Sequence, residues 1–307
     1  MNHDHETISQ LIGAWAVDAC SPEEASLVQA HLPGCTICTG EAHTLRATAT
    51  ALLTPAPAGL RERLHAAMPL RRRPAPRAPG YAKPYAAQVA ALDLLLSALG
   101  SGEWQLIAAY ERMTVRDLLA HLMEVDGVVA GALGLPVRTT PSLDSWREQA
   151  EAVCRALPHE PDNGVTVKLG RRMTVADALL ARAFETWIHT EDIAGATGSP
   201  TVTPLPSHLH PMADLAVRML PAVTGRVVTG RSISLHLTGE GGGRWTVPVS
   251  AGPVVSESDA GVTVDVVEFC RLVGDRREPS LLDVEISGDP VLAREWLAAV
   301  PALAPYP

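Results

Sequence analysis

Glu185 and His189 stand four residues apart in Arg182-Ala183-Phe184-Glu185-Thr186-Trp187-Ile188-His189. On a helix, that spacing puts both side chains on one face. A carboxylate oxygen and a neutral imidazole are both ligands for a divalent metal. A third candidate is His121, in Thr114-Val115-Arg116-Asp117-Leu118-Leu119-Ala120-His121-Leu122. A His/Glu/His set leaves a coordination position open to water or substrate, which is the catalytic rather than the structural pattern. The competing interpretation is structural. His121 lies among leucines, as a hydrogen-bonded core histidine would, and Glu185 has Arg182 and Arg116 as possible ion-pair partners.

A second cluster lies near the N-terminus. His31, Cys35 and Cys38 form His-x3-Cys-x2-Cys. Two thiolates and an imidazole at this spacing suit tetrahedral Zn2+. His5 is the best fourth ligand, with His3 as the alternative. The competing interpretation is a pair of buried cysteines beside a surface histidine. Cys20 is outside the spacing and reads as a packed thiol, as does Cys270.

The elements that must carry these residues are largely helical. Ile8 to Val17 has an apolar stripe. Ser21-Pro22-Glu23-Glu24 is a helix start with Ser as N-cap, Pro at the first helical position and Glu at the capping-box position. A third helix is expected from about Thr39 to Leu53. Further on, Tyr85 to Leu99 is apolar-periodic and stops at Gly100-Ser101-Gly102. Thr114 caps a helix with Asp117 in the capping-box position, and Thr174-Val175-Ala176-Asp177 repeats that start for the helix through His189 to about Gly195. Ser142 to Leu157 supplies a further helix. Four helices joined by long and short connections predict a bundle, and bundles build metal sites from facing helices.

The period changes after residue 200. A helix is expected from Pro211 to Leu220. Ser232 to Thr238 alternates as a strand, Gly239-Glu240-Gly241-Gly242-Gly243 turns, and Arg244 to Val249 pairs back. Gly261 to Val264 and Leu282 to Ser287 read as strands, Val266 to Val273 and Pro290 to Ala299 as helices. The Gly-rich run is a hairpin turn, because no helix follows it to cradle a phosphate. The fold class is therefore multidomain. A small all-α zinc-binding unit (1–54) is followed by a Pro/Arg-rich linker (55–83) with one short helix at Gly59 to Met68. A four-helix bundle (84–198) and an α+β C-terminal domain (199–307) complete the chain.

Composition narrows the function. A chain of 307 residues suits two or three domains. The formal charge of −9 argues against a direct nucleic-acid partner. Arg71-Arg72-Arg73 and Arg77 form a local basic patch that reads as a solvated tether. No apolar run is long enough to cross a membrane, and the polar Met-Asn-His-Asp-His-Glu start argues against a signal peptide. A cytoplasmic location is expected. Five cysteines with one close pair favour metal or redox chemistry over a disulfide framework.

Two resemblances sharpen the picture. The order His5…His31-x3-Cys35-x2-Cys38 on a small helical unit resembles the zinc-binding anti-sigma factor domain. That resemblance implies a sigma factor as partner, released in some members when thiol oxidation expels zinc. Residues 114–122 and 182–194 resemble the two signature helices of the mycothiol-dependent maleylpyruvate isomerase family, over about Tyr85 to Ala302. This implies a DinB-like bundle with His121, Glu185 and His189 as ligands of Zn2+ or another divalent metal. It also implies mycothiol as thiol cofactor and a small electrophilic substrate. Arg276 and Arg277 match an arginine-bearing turn in that family, so one of them is expected to reach the cleft and pair with a substrate carboxylate. A surface salt bridge is the alternative. The chain departs at Ala109-Tyr110-Glu111-Arg112-Met113, where many members carry a Cys-Pro-Gly-Trp-like stretch near the metal mouth.

Three functions follow as expectations. The first is a metal- and thiol-dependent isomerase or thiol transferase. The second is an anti-sigma factor whose isomerase-like part senses a thiol or electrophile. In the third, the zinc unit is only a structural or dimerising appendage.

Overall fold

A computed structural model describes residues 5–53, 73–109, 112–162, 164–224, 231–249 and 258–304. The expected helix at 59–68, His3, Arg71, Arg72, Tyr110 and Glu111 lie outside the described residues. The chain divides into two compact units, residues 1–68 and 69–307.

The first unit holds α1 (His5–Ala16), α2 (Pro22–His31) and α3 (Thr36–Leu53). Ser21 caps α2 as its sequence requires: its side chain accepts from the Glu24 backbone N–H, and Glu24 reaches back to the Ser21 N–H. Ile8, Ile12, Val28, Cys38 and Ala42 form a small apolar core. Cys20 is half-buried, with its thiol directed to the Leu11 carbonyl.

In the second unit, α4 (Lys83–Ala98), α5 (Val115–Ala132), α6 (Leu143–Ala156) and α7 (Val175–Thr197) form the helical layer. Here α4 packs on α7, and α5 packs on both α6 and α7. Thr114 and Asp117 complete a capping box on α5. Thr174 caps α7 through the Asp177 N–H, but the Asp177 carboxylate is taken by Arg218 instead. Two short antiparallel pairs lead into these caps. They are β1 (Ile107–Ala109) with β2 (Met113–Thr114), and β3 (Thr166–Leu169) with β4 (Arg171–Thr174). Neither pair is predicted from sequence, because each strand is only two to four residues long and β4 opens on Arg171-Arg172, which breaks the alternation begun by Val167 and Leu169 on β3.

Next come α8 (Pro206–Met219) and the strands β5 (Ser232–Thr238), β6 (Gly243–Pro248), β7 (Ala260–Asp265) and β8 (Glu285–Gly288). The sheet order is β6-β5-β7-β8, with β5 and β7 parallel and the outer pairs antiparallel. Ile233, Leu235 and Leu237 alternate inward on β5. Between the last strands and at the end lie α9 (Val266–Val273) and α10 (Pro290–Ala299). Two expected boundaries move. The helix expected from Pro211 begins at Pro206, which takes the first helical position where a missing N–H costs little, and Pro211 is carried inside it. The last strand begins at Glu285 rather than Leu282, because Pro279 to Leu281 form a 3-10 turn and only residues 285–288 pair with β7.

One hydrophobic cluster runs from Tyr85, Leu118, Trp146 and Trp187 to Leu235, Phe269 and Trp296. The helical layer and the sheet therefore share a continuous core. Each fully buried side chain of this kind contributes about 1.5–3 kcal/mol. Among the described residues, no helix is long and apolar enough to cross a membrane.

Candidate metal centres

The bundle centre is built on the middle turns of α5 and α7. Candidate ligand atoms of His121, Glu185 and His189 all lie within 4.8 Å of one another. His121 Nε2 and Glu185 Oε1 are 2.7 Å apart, and the two imidazole rings meet edge to face with centroids 5.5 Å apart.

Each ligand has a fixed support. The His189 Nδ1–H donates to Asp192 Oδ2 at 2.9 Å, one turn further along α7. That bond leaves Nε2 with its lone pair directed to the centre. Asp192 in turn accepts from Arg276 Nε and Nη2 at 2.7 and 2.8 Å. Burial pushes the Asp192 carboxyl up, but the Arg276 and His189 hydrogen bonds outweigh it and hold it below the usual range.

Glu185 Oε2 accepts from Arg182, whose Nε donates to Asp126 Oδ1 at 2.8 Å. Asp126 also accepts from Trp146 Nε1. Arg182 and Asp126 are 0% and 1% exposed. Burial alone would raise the Glu185 carboxyl. The Arg182 charge and then the His121 hydrogen bond overcome it, lowering the carboxyl to about 2. Glu185 is therefore an anion at neutral pH, as a metal ligand must be. The Arg182 partnership anticipated as a structural alternative coexists with the cluster, because the two carboxylate oxygens face different ways. Among the described residues, Arg182 and not Arg116 forms the ion pair with Glu185.

The centre opens on a cavity of about 740 Å³. Its walls come from α5, α7, β3, β4, α8, the end of α9 and the segments after α8 and α10, and they are mainly apolar, chiefly Ala, Val, Leu and Met. Arg276 also lines it. The turn that brings Arg276 there needs two backbone features. A Cβ on Gly274 would lie 3.1 Å from Ile188, and Asp275 sits at φ 56°. Arg276 spends its guanidinium on Asp192 and on the Gly274 carbonyl at 2.8 Å. Arg277 is not among the lining residues; it pairs with Glu268 at 2.5 Å. Sequence reasoning missed Asp192, Asp126 and the cavity-lining Lys168 and Arg171. For Asp192 a signal existed, since an acid three residues beyond a ligand histidine can support its free ring nitrogen.

The N-terminal cluster also converges. His5 Nδ1 lies 3.2 Å from Cys38 Sγ and 3.6 Å from Cys35 Sγ. Together with His31, all four ligand atoms lie within 4.8 Å of one another. Metal bonds of about 2.0–2.3 Å in a tetrahedron place ligands about 3.3–3.7 Å apart. The buried His31 Nε2 has no hydrogen-bond partner. A buried imidazole nitrogen left unpaired costs stability unless something binds it. The Cys38 backbone N–H and then the His31 ring lower the Cys35 thiol to about 6, while burial pushes Cys38 up. The donor set thus fits Zn2+.

Residues 136–194 match the protein-family model described as "Mycothiol maleylpyruvate isomerase N-terminal domain". The match holds Glu185 and His189; His121 lies before it. Two uncharacterized proteins of Mycobacterium tuberculosis, from two strains, are each 32% identical over 168 residues, covering 54% of this chain. The chain spans 62% of the length of those relatives. Two crystal structures of the mycothiol-dependent maleylpyruvate isomerase, one of them a mutant, align with TM-scores of 0.43 and 0.41. Their identities are 16% and 18%, over 64% and 67% of this chain and 88% and 91% of theirs.

Proposed function

We propose that residues 69–307 form a divalent-metal- and thiol-dependent isomerase or thiol transferase, with mycothiol as the thiol. The observation that carries it is the convergence of His121, Glu185 and His189 at the floor of a large cavity. The family match over Glu185 and His189 adds the thiol. When bound, the metal supplies the charge that keeps a thiol deprotonated at neutral pH, ready to add to an electrophilic carbon. His121, Glu185 and His189 hold that metal. Arg182 and Asp192 fix the orientation of Glu185 and His189 and exclude other rotamers. The apolar walls keep water from the reacting carbon. Arg276 orients Asp192, and through it His189.

The test is turnover by the purified full-length protein. Incubated with Zn2+ and mycothiol, it is expected to consume α,β-unsaturated carbonyl electrophiles across a panel that includes maleylpyruvate. No turnover of any member with any low-molecular-weight thiol would refute the enzyme.

A second function is favoured by the His5, His31, Cys35 and Cys38 cluster in its separate unit. A structural zinc unit of this kind serves as an anti-sigma domain, with the bundle sensing a thiol or electrophile for it. Metal analysis separates the two centres. The intact chain is expected to bind two equivalents of Zn2+, and Cys35→Ser or His31→Ala to bind one. Two equivalents in both variants would remove the N-terminal site. Failure of the intact chain to bind any sigma factor would remove the regulatory role.

A further inference from the structure

The apolar lining of the cavity suits an apolar ligand body better than a small polar one. At about 740 Å³ the cavity falls in the range of roughly 300–1,000 Å³ that holds drug-sized ligands. Most of the lining is apolar and includes Val125, Leu169, Met173, Phe184, Met212 and Met219. Met173, Met212 and Met219 bring flexible thioethers that adapt to varied apolar shapes. Burying a carboxylate-rich molecule against such walls without partners is costly.

Two cations break the apolar lining. Leu169 and Arg171 flank Gly170 at the tip of the β3–β4 hairpin, with Lys168 one residue before Leu169, and both cations line the cavity. Gly170 takes φ 65° at that turn. Both side chains are exposed, and among the described residues neither has an ion-pair partner. The other cation lining the cavity, Arg276, is already engaged by Asp192. An incoming anion therefore meets Lys168 and Arg171 at the hairpin.

We propose that the cavity takes an amphipathic acid, with a bulky apolar body against the Met/Leu/Phe wall and one anionic group at Lys168 and Arg171. As the identity of the electrophile, this rests on the thiol-transfer function. As a statement about binding, it stands without it.

The experiment is calorimetric titration of the full-length, chelator-stripped protein with butyrate, octanoate, decanoate, decanol and maleate, all below micellar concentration. Removing metal prevents carboxylate ligation from contributing. Each added methylene is expected to tighten binding roughly threefold to fourfold, with decanoate binding one per chain and maleate undetected. Val128 lines the cavity and is 42% exposed, so Val128→Asp is expected to weaken decanoate while leaving the fold intact by circular dichroism. The Lys168→Ala/Arg171→Ala double variant is expected to weaken decanoate about tenfold and leave decanol unchanged. Affinity independent of chain length, maleate binding as tightly as decanoate, or no effect of Val128→Asp would overturn the proposal. Equal loss of decanoate and decanol in the double variant would overturn the anion site. Because no thiol or turnover enters the measurement, a failed isomerase assay with intact decanoate binding removes the enzyme and keeps the cavity's ligand class. Turnover of maleylpyruvate with no chain-length dependence does the reverse.

Discussion

His121→Ala is expected to empty the bundle centre of metal and abolish thiol-dependent turnover, while the protein stays folded. His121 is the only one of the three candidate ligands carried by α5, so its loss leaves Glu185 and His189 on a single helix. Two ligands on one helix face cannot surround an ion. Loss of an outer partner typically costs 10–100-fold in metal affinity, so loss of a ligand is expected to exceed about 100-fold. The fold survives because Glu185 keeps Arg182, and both His121 and Glu185 are partly exposed to water. Asp192→Asn is the graded comparison. It weakens the Arg276 pair and the hold on His189 Nδ1 but keeps all three ligands. Metal affinity is expected to fall about 10–100-fold, with activity recovered at high metal concentration. Chelator competition measures both. Unchanged affinity in His121→Ala would remove His121 from the ligand set, and failure of added metal to rescue Asp192→Asn would give Asp192 a role beyond positioning.

The parts of this centre legible in the sequence are those set by local rules. Thr114–Asp117, Thr174 and Ser142 announce helix starts through side-chain-to-backbone hydrogen bonds that span three residues. The Glu185–His189 spacing follows from helical periodicity. His121 was reachable because α5 and α7 begin alike, which suggested that their inner faces meet. What was not legible is set by pairing across the chain. Asp126 finds Arg182 at a separation of 56 residues, and Asp192 finds Arg276 at 84. No local pattern announces either long-range pairing, although Asp192 stands three residues beyond His189. Arg276 looked available for a substrate carboxylate because an arginine in a turn carries no sign that an internal carboxylate already holds it. The β3–β4 hairpin escaped because each strand has only four residues and Arg171-Arg172 interrupts the alternation that Val167 and Leu169 begin.

The ion cluster beneath the centre makes the largest stability prediction. Asp126 accepts from Arg182 Nε and Trp146 Nε1, and no water-exposed surface is available to replace it. Asp126→Ala leaves a buried guanidinium half-paired and an indole N–H unpaired. Breaking a buried pair from one side costs about 3–5 kcal/mol. Urea denaturation is expected to show a loss of this size. Removing the exposed Arg218–Asp177 contact through Asp177→Ala is expected to cost at most about 1 kcal/mol. Glu185 belongs to the same cluster and gives the loss a pH signature in the metal-free protein. Its carboxyl stands at about 2 in the folded chain against an ordinary 4.5. A carboxyl lowered on folding stabilises the fold fully above the ordinary value, and that contribution is lost as pH falls through the folded value. The stability gap between wild type and Glu185→Gln is therefore expected to be constant above about pH 5 and to shrink from there towards pH 2. A gap that widens on acidification would mean that Arg182 does not hold Glu185 as an anion. An Asp126→Ala loss no greater than that of Asp177→Ala would mean that the Arg182 charge is not buried against Asp126.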